Sequence, residues 1–277
     1  HFPGRNSRYI NARESGVKTL STSGIGTPKA WGRAWRDSVA PRLETGLESF
    51  PLQEKVLKAL VLGYRKEMPT NVTDVFRRTG ALHIFAISGL HVGIVGFLLA
   101  LLLKTFGVPR DKFGLLLIPL LSLYVISTGM KPSAIRALLM AAVFILAPFF
   151  RRKPDIPTSV ALAAVILLFF QPLDILSAGF IFSFTVVAFL VMVYSAVPKC
   201  WIQGAWIKVY AGSLIITSVA AGVASIPLAA LFFGTFSPIA FLGNVVVVPL
   251  TFCIVLCGWL SILLPIASGI FNQAAVV

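Results

Sequence analysis

The chain has 277 residues, 57% of them hydrophobic, with a mean hydropathy of +0.89. That is well above what the core of a soluble domain of this size needs, which excludes an ordinary soluble domain and places the chain in a bilayer. Its net charge of +14 fits nucleic acid, anionic lipid or the usual surplus of basic residues flanking membrane helices, the last being the commonest origin, so charge alone names no partner.

The charge is unevenly spread. Residues 1–81 hold 14 of the 24 Lys and Arg and seven of the ten Asp and Glu, which leaves ten basic and three acidic residues for the remaining 196. A polar head is followed by a membrane body. Cys200, Cys253 and Cys257 lie in or beside apolar segments, in neither a disulfide framework nor a zinc pattern, and no metal or other cofactor is expected.

From His1 to about Pro28, a Gly, Ser, Thr and Arg-rich stretch with short alternations such as VKTLST predicts the closing strands and loops of a small β domain. No basic-then-apolar leader precedes it, and IASGIFNQAAVV at the far end stops without a polar tail, so a piece of a longer protein is expected. From about Lys29 to Lys66 the pattern turns helical, with Leu52, Val56, Leu57, Leu60 and Val61 on one face. An amphipathic helix on the membrane surface, or packed on the spans, fits that segment.

Seven apolar segments follow, over roughly 82–106, 113–129, 132–150, 156–171, 175–197, 207–233 and 238–264, separated by Pro, Gly and basic residues. Each is long enough, or nearly so, to cross a hydrocarbon core of about 30 Å, and 156–171 is short enough to be re-entrant. The expected fold is thus an all-α polytopic membrane protein with a partial β segment ahead of it: residues 1–28, an amphipathic helical connector over 29–81, and a membrane domain over 82–277. Lys and Arg concentrate in the first, third and fifth loops (Lys104, Arg110, Lys112; Arg151, Arg152, Lys153; Lys199, Lys208), whereas the even loops carry Lys131 alone. Basic residues are retained on the cytoplasmic side, so the amino-terminal region is expected outside.

Three stretches carry polar groups into the apolar body. In TGALHIFAISGLHVGIVG, residues 79–96, His91 lies about 60° from Ser88 and about 80° from His83 around a helix, so all three are able to share one side. Such groups at membrane depth face protein or water. The alternative is a packing seam at Gly89 and Gly93, with the imidazoles satisfied by carbonyls. In STGMKPSAIRALLMA, residues 127–141, Pro132 begins a helix, Ser133 is placed to cap it, and Arg136 falls one turn inside an apolar span, facing a cavity or snorkelling. In TFSPIAFLGNVVVVPL, residues 235–250, Asn244 and Pro249 interrupt the last segment, either as a broken helix lining a cavity or with Asn244 bonding a neighbouring helix.

No Asp or Glu falls inside a span, Asp111, Asp155 and Asp174 lying at loops. That suits an anion better than a coupling cation. AISGL lacks the flanking glycines of a G-x-S-x-G elbow, and there is no H-E-x-x-H, so catalysis is not expected within the chain.

The stretch FRRTGALHIFAISGLHVGIV resembles the most distinctive signature of the ComEC family, the competence channel proteins of bacterial transformation. GMKPSAIRALLMA matches that family's second motif in order and spacing. The likeness continues through QPLDILSAGFIFSFTVV and FSPIAFLGNVVVVPL, and SRYINARESGVKTL is similar to the tail of the family's extracellular OB-like domain.

The resemblance implies a multi-pass bacterial cytoplasmic membrane protein that passes one DNA strand inward. A single strand needs basic and hydrogen-bonding groups for its phosphates, so His83, Ser88, His91 and Arg136 are expected to line its path, with Asn244 shaping it. The partners expected are single-stranded DNA, membrane lipid, a DNA receptor outside, and an ATP-driven motor or single-strand-binding proteins inside, with a second copy of the chain among those considered. The family's carboxy-terminal nuclease signature, H-x-H-x-D-H, does not occur in the sequence. The rival class is a transporter of a small anionic or lipid-linked substrate.

Overall fold

The computed structural model describes residues 28–64, 68–78, 84–85, 88–198, 206–234 and 239–276. The expected β segment therefore lies outside the described residues, apart from the start of the first helix at Pro28. Among the described residues every regular element is helical.

Three short helices precede the apolar body: α1 (Pro28–Val39), α2 (Pro51–Val61) and α3 (Thr70–Arg78), with a 3-10 turn at Ala40–Leu43. The single helical stretch expected over 29–66 is thus two helices. Gly46 takes a left-handed φ of 81°, which ends the first run, and Pro51 with its fixed φ starts the second at N1. Leu57, Leu60 and Val61 are buried as the apolar face predicts, and Leu52 is exposed.

Each of the seven apolar segments contains one helix: α4 (Gly89–Thr105), α5 (Arg110–Ser127), α6 (Pro132–Leu146), α7 (Ile156–Phe170), α8 (Ala178–Ala196), α9 (Trp206–Phe233) and α10 (Ile239–Leu263). Four are long and apolar enough to cross a membrane: Pro132–Phe150, Ala178–Ala196, Lys208–Phe232 and Val246–Leu263. α4 and α7, of 17 and 15 residues, are shorter apolar helices. At 1.5 Å per residue α7 reaches only about 22 Å. Asp155 caps α7: its carboxylate accepts from the Thr158 hydroxyl at 2.6 Å and N–H at 2.9 Å, which holds that carboxyl below its usual range.

α10 runs unbroken through Asn244 and Pro249, so the expected interruption is not a break in the helix. A proline inside a helix loses one hydrogen bond and kinks the axis, and the chain continues where neighbouring helices support it. A further helix, α11 (Ser268–Val276), follows a 3-10 turn at Pro265–Ala267.

The buried core joins the connector to the body. Leu43, Leu47, Leu57 and Val61 pack into one cluster with Val92, Val95, Leu121, Val125, Val255 and Trp259 of α4, α5 and α10. Two glycines set this closeness. A Cβ on Gly32 of α1 would lie 2.3 Å from the Ile126 carbonyl oxygen of α5, and one on Gly258 of α10 would lie 2.4 Å from Cγ2 of Val61. Trp35 stacks on Trp259 at 6.2 Å, and Tyr124 meets the same indole edge-on at 5.2 Å.

Candidate functional site

The start of α4 is fixed by its own polar residues. Ser88, in the extended conformation, is the N-cap; its backbone N–H donates to Nδ1 of His91 at 3.3 Å, and its Oγ lies 3.0 Å from the same nitrogen. This is a capping box with imidazole in place of the usual Glu or Gln. Since Nδ1 accepts, the neutral ring carries its proton on Nε2.

His91 is 1% exposed, and Nε2 makes no hydrogen bond among the described residues. The imidazole is therefore turned back onto the start of its own helix. A Cβ on Gly89 would sit 3.7 Å from Cβ of Ala137 on α6, whereas nothing lies within 4 Å of one on Gly93. The two glycines do not form one seam.

α6 begins at Pro132 with Lys131 as N-cap, not Ser133, because proline already sets the first helical φ. Four residues on, Arg136 is buried, with 8% exposure, and its Nε has no hydrogen-bond partner among the described residues. Its guanidinium lies against the start of α8: a Cβ on Gly179 would stand 3.6 and 3.7 Å from the two terminal nitrogens. Asp174, in the 3-10 turn Pro172–Leu176 ahead of α8, is the carboxylate that acts on Arg136, yet no ion pair joins them.

His83 and the side chain of Asn244 lie outside the described residues. Pro249 is half-buried within α10, away from any helix end. The structure thus brings Ser88 to His91, and Gly89 to α6 beside Arg136.

Sequence reasoning missed Gly179, for which the only signal is a glycine two residues after a capping serine. It also missed a buried polar knot at the opposite end of α10. There Nδ2 of Asn272 donates to the carbonyls of Arg42 at 2.8 Å and Thr45 at 2.9 Å, the Ser261 hydroxyl donates to the same Arg42 carbonyl at 3.2 Å, and the Arg42 guanidinium donates to the Ile262 carbonyl at 2.7 Å.

Residues 60–277 match the family described as Competence protein. Among curated proteins, ComE operon protein 3 of Bacillus subtilis (strain 168) is 33% identical over 219 residues, which is 79% of this chain and 27% of that protein. An uncharacterized protein of Aquifex aeolicus (strain VF5) is 28% identical over 217 residues, 76% of this chain and 49% of that protein. The uncharacterized protein YcaI of Escherichia coli (strain K12) is 28% identical over 216 residues, 75% of this chain and 28% of that protein. The chain therefore spans less than half the length of these relatives. No solved structure matches. With the family match running from the last residues of α2 through α11 and over both polar motifs around Ser88 and Arg136, the chain belongs to the Competence protein family.

Proposed function

We propose that this chain is the membrane part of a channel that admits single-stranded DNA across the bacterial cytoplasmic membrane during natural transformation. The observation that carries the reading is Arg136: a buried cation in an apolar body, with no ion pair among the described residues, in a chain whose family is Competence protein. A charge at such a place is costly unless it serves a ligand, and a nucleic acid strand supplies phosphates for it.

On this reading all seven apolar segments cross or enter the membrane, and the odd-numbered loops are cytoplasmic. The amino-terminal region is extracytoplasmic and continues an OB-like domain. The strand passes the outer ends of α4 and α6. Arg136 contacts it directly, Ser88 and His91 hold the start of α4 beside it, and His83 and Asn244 complete the path. A DNA receptor outside, and a motor or single-strand-binding proteins inside, supply and pull the strand.

The test is internalisation of radiolabelled DNA by competent cells carrying the full-length protein. Arg136→Ala, expressed at the normal level, is expected to abolish entry into the nuclease-protected pool. Wild-type entry would overturn the proposal. Intact entry together with a lost small-anion uptake would favour a transporter instead.

A further inference from the structure

We infer that the Arg136 guanidinium and the first turn of α8 form a binding station for one phosphodiester group of a nucleic acid strand; the nucleic acid rests on the DNA-uptake reading above, and the oxyanion does not. Short connections make successive helices antiparallel, so α4, α6 and α8 run the same way. Their N-terminal ends lie together: Gly89 reaches Ala137, and Gly179 reaches Arg136. Each such end carries about half a positive charge and unpaired backbone N–H groups.

At α8 the Ser177 hydroxyl takes the Phe180 N–H at 3.2 Å and the Ser177 carbonyl takes the Ile181 N–H at 3.1 Å. The N–H groups of Ala178 and Gly179 are left without an intrahelical partner.

Into this end comes a guanidinium, which belongs by charge at a helix C-terminus. Arg136 is more than nine-tenths buried, its Nε is unpaired, and no ion pair reaches it among the described residues. Asp174 offsets part of this charge without pairing with it, and the helix ends beside the buried guanidinium still favour an anion between them. A tetrahedral oxyanion accepts both the planar fork of an arginine and the N–H groups of a helix start. Gly179 leaves that approach open, since any longer side chain there meets the guanidinium. Free phosphate and a phosphodiester share this chemistry, so both serve as probes.

The test uses the chain in nanodiscs of zwitterionic lipid, with a fluorescent oligothymidylate and, separately, inorganic phosphate, across a salt series. Arg136→Gln is expected to weaken oligothymidylate binding by about tenfold or more, the worth of one hydrogen bond to a charged group, and to reduce the salt slope by roughly 0.7. Gly179→Leu should weaken it with Arg136 intact, and Gly179→Ala should change little, because its Cβ contacts of 3.6 and 3.7 Å are ordinary. Gly179 is exposed, so the leucine variant reports even where the Arg136 variant does not fold.

If both variants bind either probe as the wild type does, the station is overturned while DNA uptake stands. If phosphate binds through Arg136 and oligothymidylate does not, the station holds and the DNA reading falls. If neither probe binds the wild type, the station is overturned.

Discussion

Where α1 and α2 meet α5 and α10, the chain is packed as a water-soluble core is. Leu43, Leu47 and Val61 are fully enclosed, and two glycines let backbone approach backbone or side chain to within a methyl group. α8 and α9 are joined differently. They enclose an apolar groove of about 570 Å³ lined by residues such as Phe189, Val193, Ile215 and Val219, and they are linked by Tyr194, whose hydroxyl lies 2.8 Å from that of Thr217 and donates to the Ser213 carbonyl at 3.0 Å. Only 6% of the α8 span and 17% of the α9 span is buried, against 33% for α10. Lipid tails compete with side chains for such faces, so association there rests on close packing and hydrogen bonds rather than on expulsion of water. The connector, by contrast, gains from burying what water would otherwise wet.

The sharpest way to break this contrast is to add one methyl group. Gly32→Ala sets a Cβ 2.3 Å from a backbone carbonyl that has no freedom to turn, so a loss of about 3 kcal/mol or more is expected in bicelle unfolding. Gly258→Ala meets the tip of Val61, which can shift, and should cost about 1–2 kcal/mol. Gly93→Ala, with nothing within 4 Å, should be neutral or stabilising by about 0.5 kcal/mol. Equal effects at the three positions would show that the connector is not held by close approach.

Asn272→Ala takes the Nδ2 donor from the Thr45 carbonyl and leaves the Arg42 carbonyl to Ser261 alone, and should cost about 2 kcal/mol. Ser88→Ala removes the cap of α4 and should cost about 1 kcal/mol. Tyr194→Phe, in the lipid-facing pair, should cost about 0.6 kcal/mol, the mean for polar contacts between membrane helices. Were the tyrosine to cost more than Asn272, the distinction between the two regions would be lost.

The helices were legible in the sequence because Pro, Gly and basic residues punctuate the apolar runs, and each run of 15 residues or more contained one helix. The break at Gly46 was not, since the apolar period on either side reads through it and only a positive φ reveals the turn. α11 went unread because nine residues give too little period to register. Pro249 left a broken and a continuous helix equally open, since a proline costs one hydrogen bond without having to end a helix, and the helix runs on through it. At the site, Arg136 announced itself as a charge in an apolar run. Its neighbour Gly179, far along the chain, has no side chain to announce anything, and the turn of His91 back onto Ser88 is a capping geometry that helical spacing does not encode.

The smallest expected effect tests how far water governs the connector. Lys58 of α2 donates to Glu44 at 2.5 Å and to Glu54, one turn earlier, at 2.7 Å. Burial works against its charge, and the two carboxylates outweigh that, so the ammonium is held above its ordinary value. A raised folded value means the pairing stabilises fully below the unfolded lysine value of about 10.4 and is lost only as pH climbs through the folded one. Lys58→Met should therefore cost about 0.5 kcal/mol, the size of a partly exposed pair. Between pH 7 and 9 the difference from wild type should stay flat, and it should close above the lysine range. A difference that shrinks with added salt would place the pair in water. One that is indifferent to salt would place the pair deeper against the membrane body than the exposure of Glu44 implies.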